Sequence, residues 1–236
     1  MLAVTVGHLN PNKQIHAVIE TLGRGPELAR NLTYALMGPC EGEYRDRLMA
    51  AIRRHGLENA VLLLGYTPDD RMTSFLAYAD FCINLRYPAM EGASASLAEE
   101  MLHGKPVLVM NTGCYRELPD DCVMKISPEH KEQELAGALR KLITDAGFRR
   151  EIAAHAKQFA EEHFRAERYA RDFLAFLEEV RSAMPVLQYL DRMAGAFRPD
   201  GRLPRDGACR HGGTRSTMSG PMPQNCNTTL PLVEAP

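Results

Sequence analysis

The chain has 236 residues, with 45% hydrophobic and 25% charged side chains, a composition ordinary for a soluble globular protein of one large domain or one domain with an appendage. Its formal net charge of -2 gives no electrostatic support for a nucleic-acid partner or an anionic membrane surface. No stretch approaches the ~20 apolar residues of a membrane helix, and the first residues, Met1 to Val6, lack the basic region of a signal peptide.

In chain order, short apolar runs alternate with amphipathic segments over the first 125 or so residues. Predicted strands are Leu2–Val6, Thr33–Met37, Ala60–Leu64, Phe81–Leu85, Pro106–Met110 and Cys122–Ile126. They are continuously apolar rather than alternating, the pattern of strands covered on both faces. Between them lie predicted helices at Lys13–Leu22, Glu43–His55, Asp69–Tyr78 and Ser94–His103. In the second, Tyr44, Leu48 and Ile52 recur at helical spacing and should face the sheet. Arg45, Arg47, Arg53 and Arg54 fall among acids and read as a solvated helix face. Strand–helix alternation with short connections predicts an α/β fold, a doubly wound, Rossmann-like parallel sheet of about six strands. Ligands of such sheets bind beyond the carboxyl ends of the strands.

Residues 129–184 read as mostly helical. Phe148, Ile152, Ala156 and Phe159 form one apolar stripe, and Tyr169, Phe173, Phe176, Leu177 and Val180 form another; both read as core or interface. The first domain is therefore drawn at 1–184. Residues 185–236 are drawn as an irregular tail, because 198–236 are rich in Pro, Gly, Ser, Thr and Asn and bury too little surface to offset chain entropy. Six cysteines, at 40, 82, 114, 122, 209 and 226, show no CxxC pair. They read as reduced thiols, several in buried strands, which suits a cytoplasmic protein and leaves Asn31 and Asn227 unglycosylated. His155 and His163 on one helix, and Cys209, His211 and Cys226 in the tail, match no common metal-ligand spacing.

Residues 91–106 carry most of the chemistry. A loop with one carboxylate, Glu91, and the small residues Gly92, Ala93 and Ser94 runs into a helix bearing a second carboxylate, Glu99. A helix start offers bare N–H groups and the positive end of a dipole, which suits phosphate. Flanking carboxylates accept hydrogen bonds from sugar hydroxyls. The same residues have a structural reading: Ser96-Leu-Ala-Glu99 fits a capping box, Glu91 a loop acid, and Glu100 a solvated side chain. After the first strand, Gly7 permits close backbone approach to a ligand, with His8 beside it, and Lys13 at the entry to the next helix offers a point charge. Gly65-Tyr66-Thr67 follows the third strand and marks where a base could lie. Neither G-x-G-x-x-G nor a Walker loop is present, which leaves out nicotinamide and ATP motifs.

Taken together these pieces resemble the C-terminal, donor-binding domain of GT-B-fold glycosyltransferases, in particular the family-4-type retaining group. Val6-Gly-His-Leu-Asn-Pro-Asn-Lys13 is similar to the family's first strand and basic loop. Asn59 to Tyr66 is similar to its base-side strand. Tyr78-Ala-Asp80 precedes the motif loop in the expected place. Glu91 and Glu99 match its Glu-x7-Glu motif, followed by Gly104-Lys-Pro-Val107. The resemblance covers about residues 1–180. It implies that Lys13 neutralises a donor diphosphate, Glu91 contacts the transferred sugar, the amides at Ala93 and Ser94 flank sugar or phosphate, and Glu99 binds the ribose. It implies transfer without a bound metal or cofactor, and a second, acceptor-binding domain of similar size, so that the chain reads as a fragment or one part of a split enzyme. Glu91 is not assigned as a covalent nucleophile. One departure stands out: the family often has Arg where this chain has His8. Two other readings remain at this point, a non-catalytic interaction module with a Rossmann-like fold and a fragment of a GT-B sugar epimerase.

Overall fold

The computed structural model describes residues 1–196; Cys209, His211, Cys226, Asn227 and the Pro/Gly-rich stretch from residue 198 lie outside the described residues. Six parallel strands form one sheet in the order β3-β2-β1-β4-β5-β6, where β1 is Leu2–Val6, β2 Thr33–Met37, β3 Val61–Gly65, β4 Phe81–Asn84, β5 Val107–Met110 and β6 Met124–Ile126. The chain order reverses between β1 and β4, and that switch point opens a crevice at the carboxyl ends of these two neighbours.

The period-2 alternation of strand side chains divides the core in two. Ala3, Tyr34, Leu36, Phe81, Ile83 and Leu108 face one layer of helices. That layer holds α1 (Ile15–Arg24), α2 (Pro26–Asn31), α3 (Gly42–Arg54) and α6 (Lys131–Thr144). Val4, Val6, Met37, Cys82, Val107 and Val109 face the other, which holds α4 (Asp69–Tyr78), α5 (Ala95–Leu102) and α7 (Ala146–His163). On α1, Ile15, Val18, Ile19 and Leu22 are wholly buried, each contributing about 1.5–3 kcal/mol of transfer free energy. Leu48 and Ile52 of α3 are buried in the same layer, with Tyr44 partly buried against it, while Arg45, Arg47, Arg53 and Arg54 are exposed. At the sheet centre Thr5 Oγ1 bonds Tyr34 OH at 2.8 Å and donates to Ile83 O at 2.6 Å, so the hydroxyl ties β1 to both its neighbours.

Several expectations need correction. β3 is one of the sheet's two edge strands, and Leu62 and Leu64 are exposed; its apolar run alternates between a buried and an open face instead of being covered on both. The cysteines are less strand-bound than expected: Cys82 lies in β4, whereas the buried Cys122 precedes β6. Residues 185–196, read as irregular, are helical, since α8 runs Ala166–Ala196 through Pro185. Its continuation after the proline is rich in helix-compatible Leu, Gln, Met, Ala and charged residues, and these keep the backbone helical beyond one lost hydrogen bond. Three short elements are absent from the sequence reading, a 3-10 turn at Pro11–Lys13, α2 and a 3-10 turn at Gly113–Glu117. Among the described residues no helix is long and apolar enough to cross a membrane.

Candidate functional site

At the carboxyl rim the loops after β1, β2 and β3 are braced against one another. Gly38 N donates to Gly65 O at 2.8 Å, and Leu9 N to Pro39 O at 2.9 Å. A Cβ on Gly38, whose φ is 139°, would sit 2.2 Å from the Gly7 carbonyl oxygen, so only glycine allows this backbone contact. Gly7 itself has φ 87°, and a Cβ there would lie 3.1 Å from Lys13 Nζ.

Lys13 does not enter α1 directly. It ends a 3-10 turn at Pro11–Lys13, and Gln14, with φ 54°, separates it from Ile15. The bend turns the lysine inward: it is 5% exposed, and its ammonium donates to Val6 O. Burial, then the charge of Arg86, lowers its pKa from 10.5 to about 8, against the opposing pull of Glu100 and Glu91. The β4–α5 loop is fastened to this turn, because Tyr87 N donates to Asn12 O at 2.8 Å and Gln14 Nε2 to Tyr87 O at 2.9 Å.

Glu91 is held from two sides. Arg86 Nε stands 3.0 Å from its Oε1, and Tyr115 OH donates to the same oxygen at 2.8 Å. Burial would raise its pKa, but the Tyr115 bond, backbone N–H groups and the Arg86 charge outweigh it and hold the carboxyl below its usual range. The amino end of α5 follows immediately. Ser94, not Ser96, caps it, accepting from Leu97 N at 3.3 Å. The predicted capping box therefore starts two residues too late, and Glu99 is not its return partner.

Glu100 is the largest departure from expectation. Read as solvated, it is 0% exposed. Asn84 Nδ2 donates to its Oε2 at 2.8 Å and to Ser96 Oγ at 3.0 Å, while Glu100 Oε1 and Asn84 Oδ1 have no hydrogen-bond partner among the described residues. Burial pushes its pKa up to about 8, against the Asn84 bond and the charges of Lys13 and Arg86, with Glu99 adding a small upward push.

The structure thus brings together Lys13, Glu91 and Ser94, with Gly7 in contact range and Gly92 and Ala93 exposed on the connecting loop. Glu99 is half-buried one residue before Glu100. His8 is exposed on its loop. Tyr66 is 78% exposed and lines a cleft of about 430 Å³ with Leu64, Thr67, Arg71, Ser74 and Phe75. Sequence reasoning missed Asn84, Arg86, Glu100 and Tyr115. Two of these carried a signal: Asn84 interrupts an apolar strand, and Glu100 falls on the Leu97/Met101 face of α5.

A doubly wound parallel sheet with paired cations, a carboxylate and a helix start at its switch point defines a Rossmann-like domain of the kind that forms the C-terminal half of GT-B glycosyltransferases. The chain belongs to the glycosyl transferases group 1 family, whose model matches residues 1–159. No curated protein sequence matches it. Among solved structures it is similar to HepE of Anabaena in complex with UDP-glucose, at 29% identity and a TM-score of 0.64, over 75% of this chain and 48% of HepE. The complex of HepE with UDP matches at 27% identity and a TM-score of 0.65 over the same shares. The C-terminal domain of a group 1 glycosyl transferase, LpcC of Francisella tularensis, shares the fold at 18% identity and a TM-score of 0.61, over 70% of this chain and 86% of that one. The chain spans about half the length of HepE.

Proposed function

We propose that the chain is the nucleotide-sugar-binding part of a glycosyltransferase, which presents a nucleoside-diphosphate sugar for transfer to an acceptor held on a second domain or chain. The observation that carries this reading is the convergence of buried Lys13, the Glu91 carboxylate and the amino end of α5 at the sheet's switch point. In it, Lys13 and the α5 amides neutralise the diphosphate and stabilise it as a leaving group. Glu91, kept ionised by Tyr115 and Arg86, accepts hydrogen bonds from the transferred sugar. Glu99 binds the ribose hydroxyls, and the cleft beside Tyr66 takes the base. The likeness to HepE, solved with UDP and with UDP-glucose, supports a nucleotide-sugar donor.

Calorimetric titration of the chain with UDP and GDP tests the reading. One of the two is expected to bind, and Glu99→Ala is expected to weaken that binding about tenfold, the equivalent of one charge-assisted hydrogen bond. No binding of either at millimolar concentration removes the donor reading, and an unchanged affinity in Glu99→Ala removes that residue from the ribose role. A second reading, an interaction module, draws on the exposed Tyr169, Phe173, Phe176 and Leu177 of α8, since clustered apolar surface marks partner contacts. A monomer by light scattering argues against it.

A further inference from the structure

We propose that Arg86 supplies the second cation of the diphosphate site, gripping the distal phosphate with its guanidinium and giving up its ion pair with Glu91 to do so. The inference rests on the donor reading. A diphosphate carries several negative charges, and the loop after β1 offers an exposed histidine, His8, rather than a permanent cation, beside Lys13. Arg86 stands where that cation is needed, on the neighbouring loop across the switch point. It is 6% exposed, and close enough to Lys13 for its charge to depress the lysine's proton affinity.

Two cations held side by side away from water are costly unless an anion lies between or beside them. Two carboxyl groups face the pair. Glu100 lies beneath it, wholly buried, with a pKa pushed up to about 8, and holds a proton over much of the neutral range. Glu91 therefore provides the counter-charge. Its side chain is 26% exposed against 8% for Arg86, and it sits on an irregular segment rather than on a helix or strand. It is the partner that can be exchanged.

The guanidinium is also aimed. Arg86 Nη1 donates to Leu85 O at 2.9 Å, which fixes the fork to the end of the strand. Its Nη2 reaches Ser96 Oγ at only 3.5 Å, a long contact at the first turn of α5, beside the amides that suit phosphate. The fork carries more N–H donors than these bonds use, in the planar arrangement that matches phosphate oxygens. Arg86 borders Glu91, which faces the sugar in the donor reading, and the sugar is joined to the distal phosphate; the fork therefore meets that phosphate and not the one next to the ribose. Once Arg86 is taken by phosphate, Glu91 is left with Tyr115 and is free to meet the sugar.

The test is calorimetric titration of the full chain near neutral pH with UDP, GDP, UMP and GMP. The wild-type chain should bind one diphosphate more tightly than the monophosphate of the same base. Arg86→Gln should cut the diphosphate affinity about tenfold or more, the range of a charge-assisted pair, and leave the monophosphate within about twofold. Arg86→Lys should fall between the two. Equal losses for both ligands would show a structural role, and an unchanged ratio would show no role; either outcome overturns the inference while the donor reading stands. If the wild-type chain binds none of the four, both fall. Should Arg86→Gln not fold, Glu91→Gln decides: with the counter-charge removed, diphosphate affinity should rise severalfold, and an unchanged or lower value overturns the proposal.

Discussion

Replacing Glu100 by Gln tests the buried cluster most directly. Between the ordinary carboxylate value of 4.5 and about 8, the native chain holds a proton on Glu100 that the unfolded chain releases. The contribution of this group to stability is complete below about pH 4.5 and is lost as pH rises through that window, by about 1.4 kcal/mol per pH unit. Between about pH 5 and about pH 7 the loss reaches about 3 kcal/mol. Glutamine has nearly the shape of the protonated acid, can accept the Asn84 bond, and does not titrate. Lys13 acts higher and with the opposite sign: its pKa is lowered to about 8 from 10.5, so the unfolded chain binds more protons there and stability rises with pH. Urea unfolding of both chains across the lower window should show wild-type stability falling relative to Glu100→Gln by about 3 kcal/mol. Parallel curves would mean that Glu100 is ionised in the folded chain at neutral pH, and would refute the account of it as a protonated, buried acid.

Two further outcomes follow from the rim. Gly38→Ala places a methyl group against the Gly7 carbonyl and should lower stability by roughly 2–4 kcal/mol and weaken nucleotide binding as the Lys13 loop shifts, measured by urea unfolding and calorimetry; a change below about 0.5 kcal/mol would show that the loops part freely. Ser94→Ala removes the α5 cap and should cost about 1 kcal/mol, whereas Ser94→Asp should keep the stability yet weaken diphosphate binding by placing a carboxylate where phosphate is expected; equal affinities in Asp and Ser chains would move the phosphate away from this helix.

The sheet was legible because its strands are apolar runs bounded by turn residues: Leu2–Val6 and Thr33–Met37 match the observed strands residue for residue, as does the helix Asp69–Tyr78. The site was legible in part. Glu91 and Lys13 could be paired across some eighty residues because both follow strands that a doubly wound sheet places side by side. Arg86 was passed over because its charge directly follows an apolar strand and reads as a boundary residue. Its burial depends on Glu91 and Ser96 closing over it, a contact no periodicity records. Glu100 was misread because a doublet of acids near a helix start normally complements the dipole in water. Here only the first remains partly wet, since α5 turns the second toward Asn84 and the sheet.

The Tyr87–Asn12 link, which sews the turn after β1 to the segment after β4, has a thermodynamic corollary. A fragment ending before residue 85 carries the turn after β1 but not the segment after β4, and the unfolded chain does not hold the two together, so any nucleotide that recognises the joined halves has nothing to hold there. Ligand affinity is then drawn in full from the cooperative folded state, and the melting temperature should climb with nucleotide concentration as mass action requires. The pocket serves as a gauge of whether the two distant stretches of polypeptide have met.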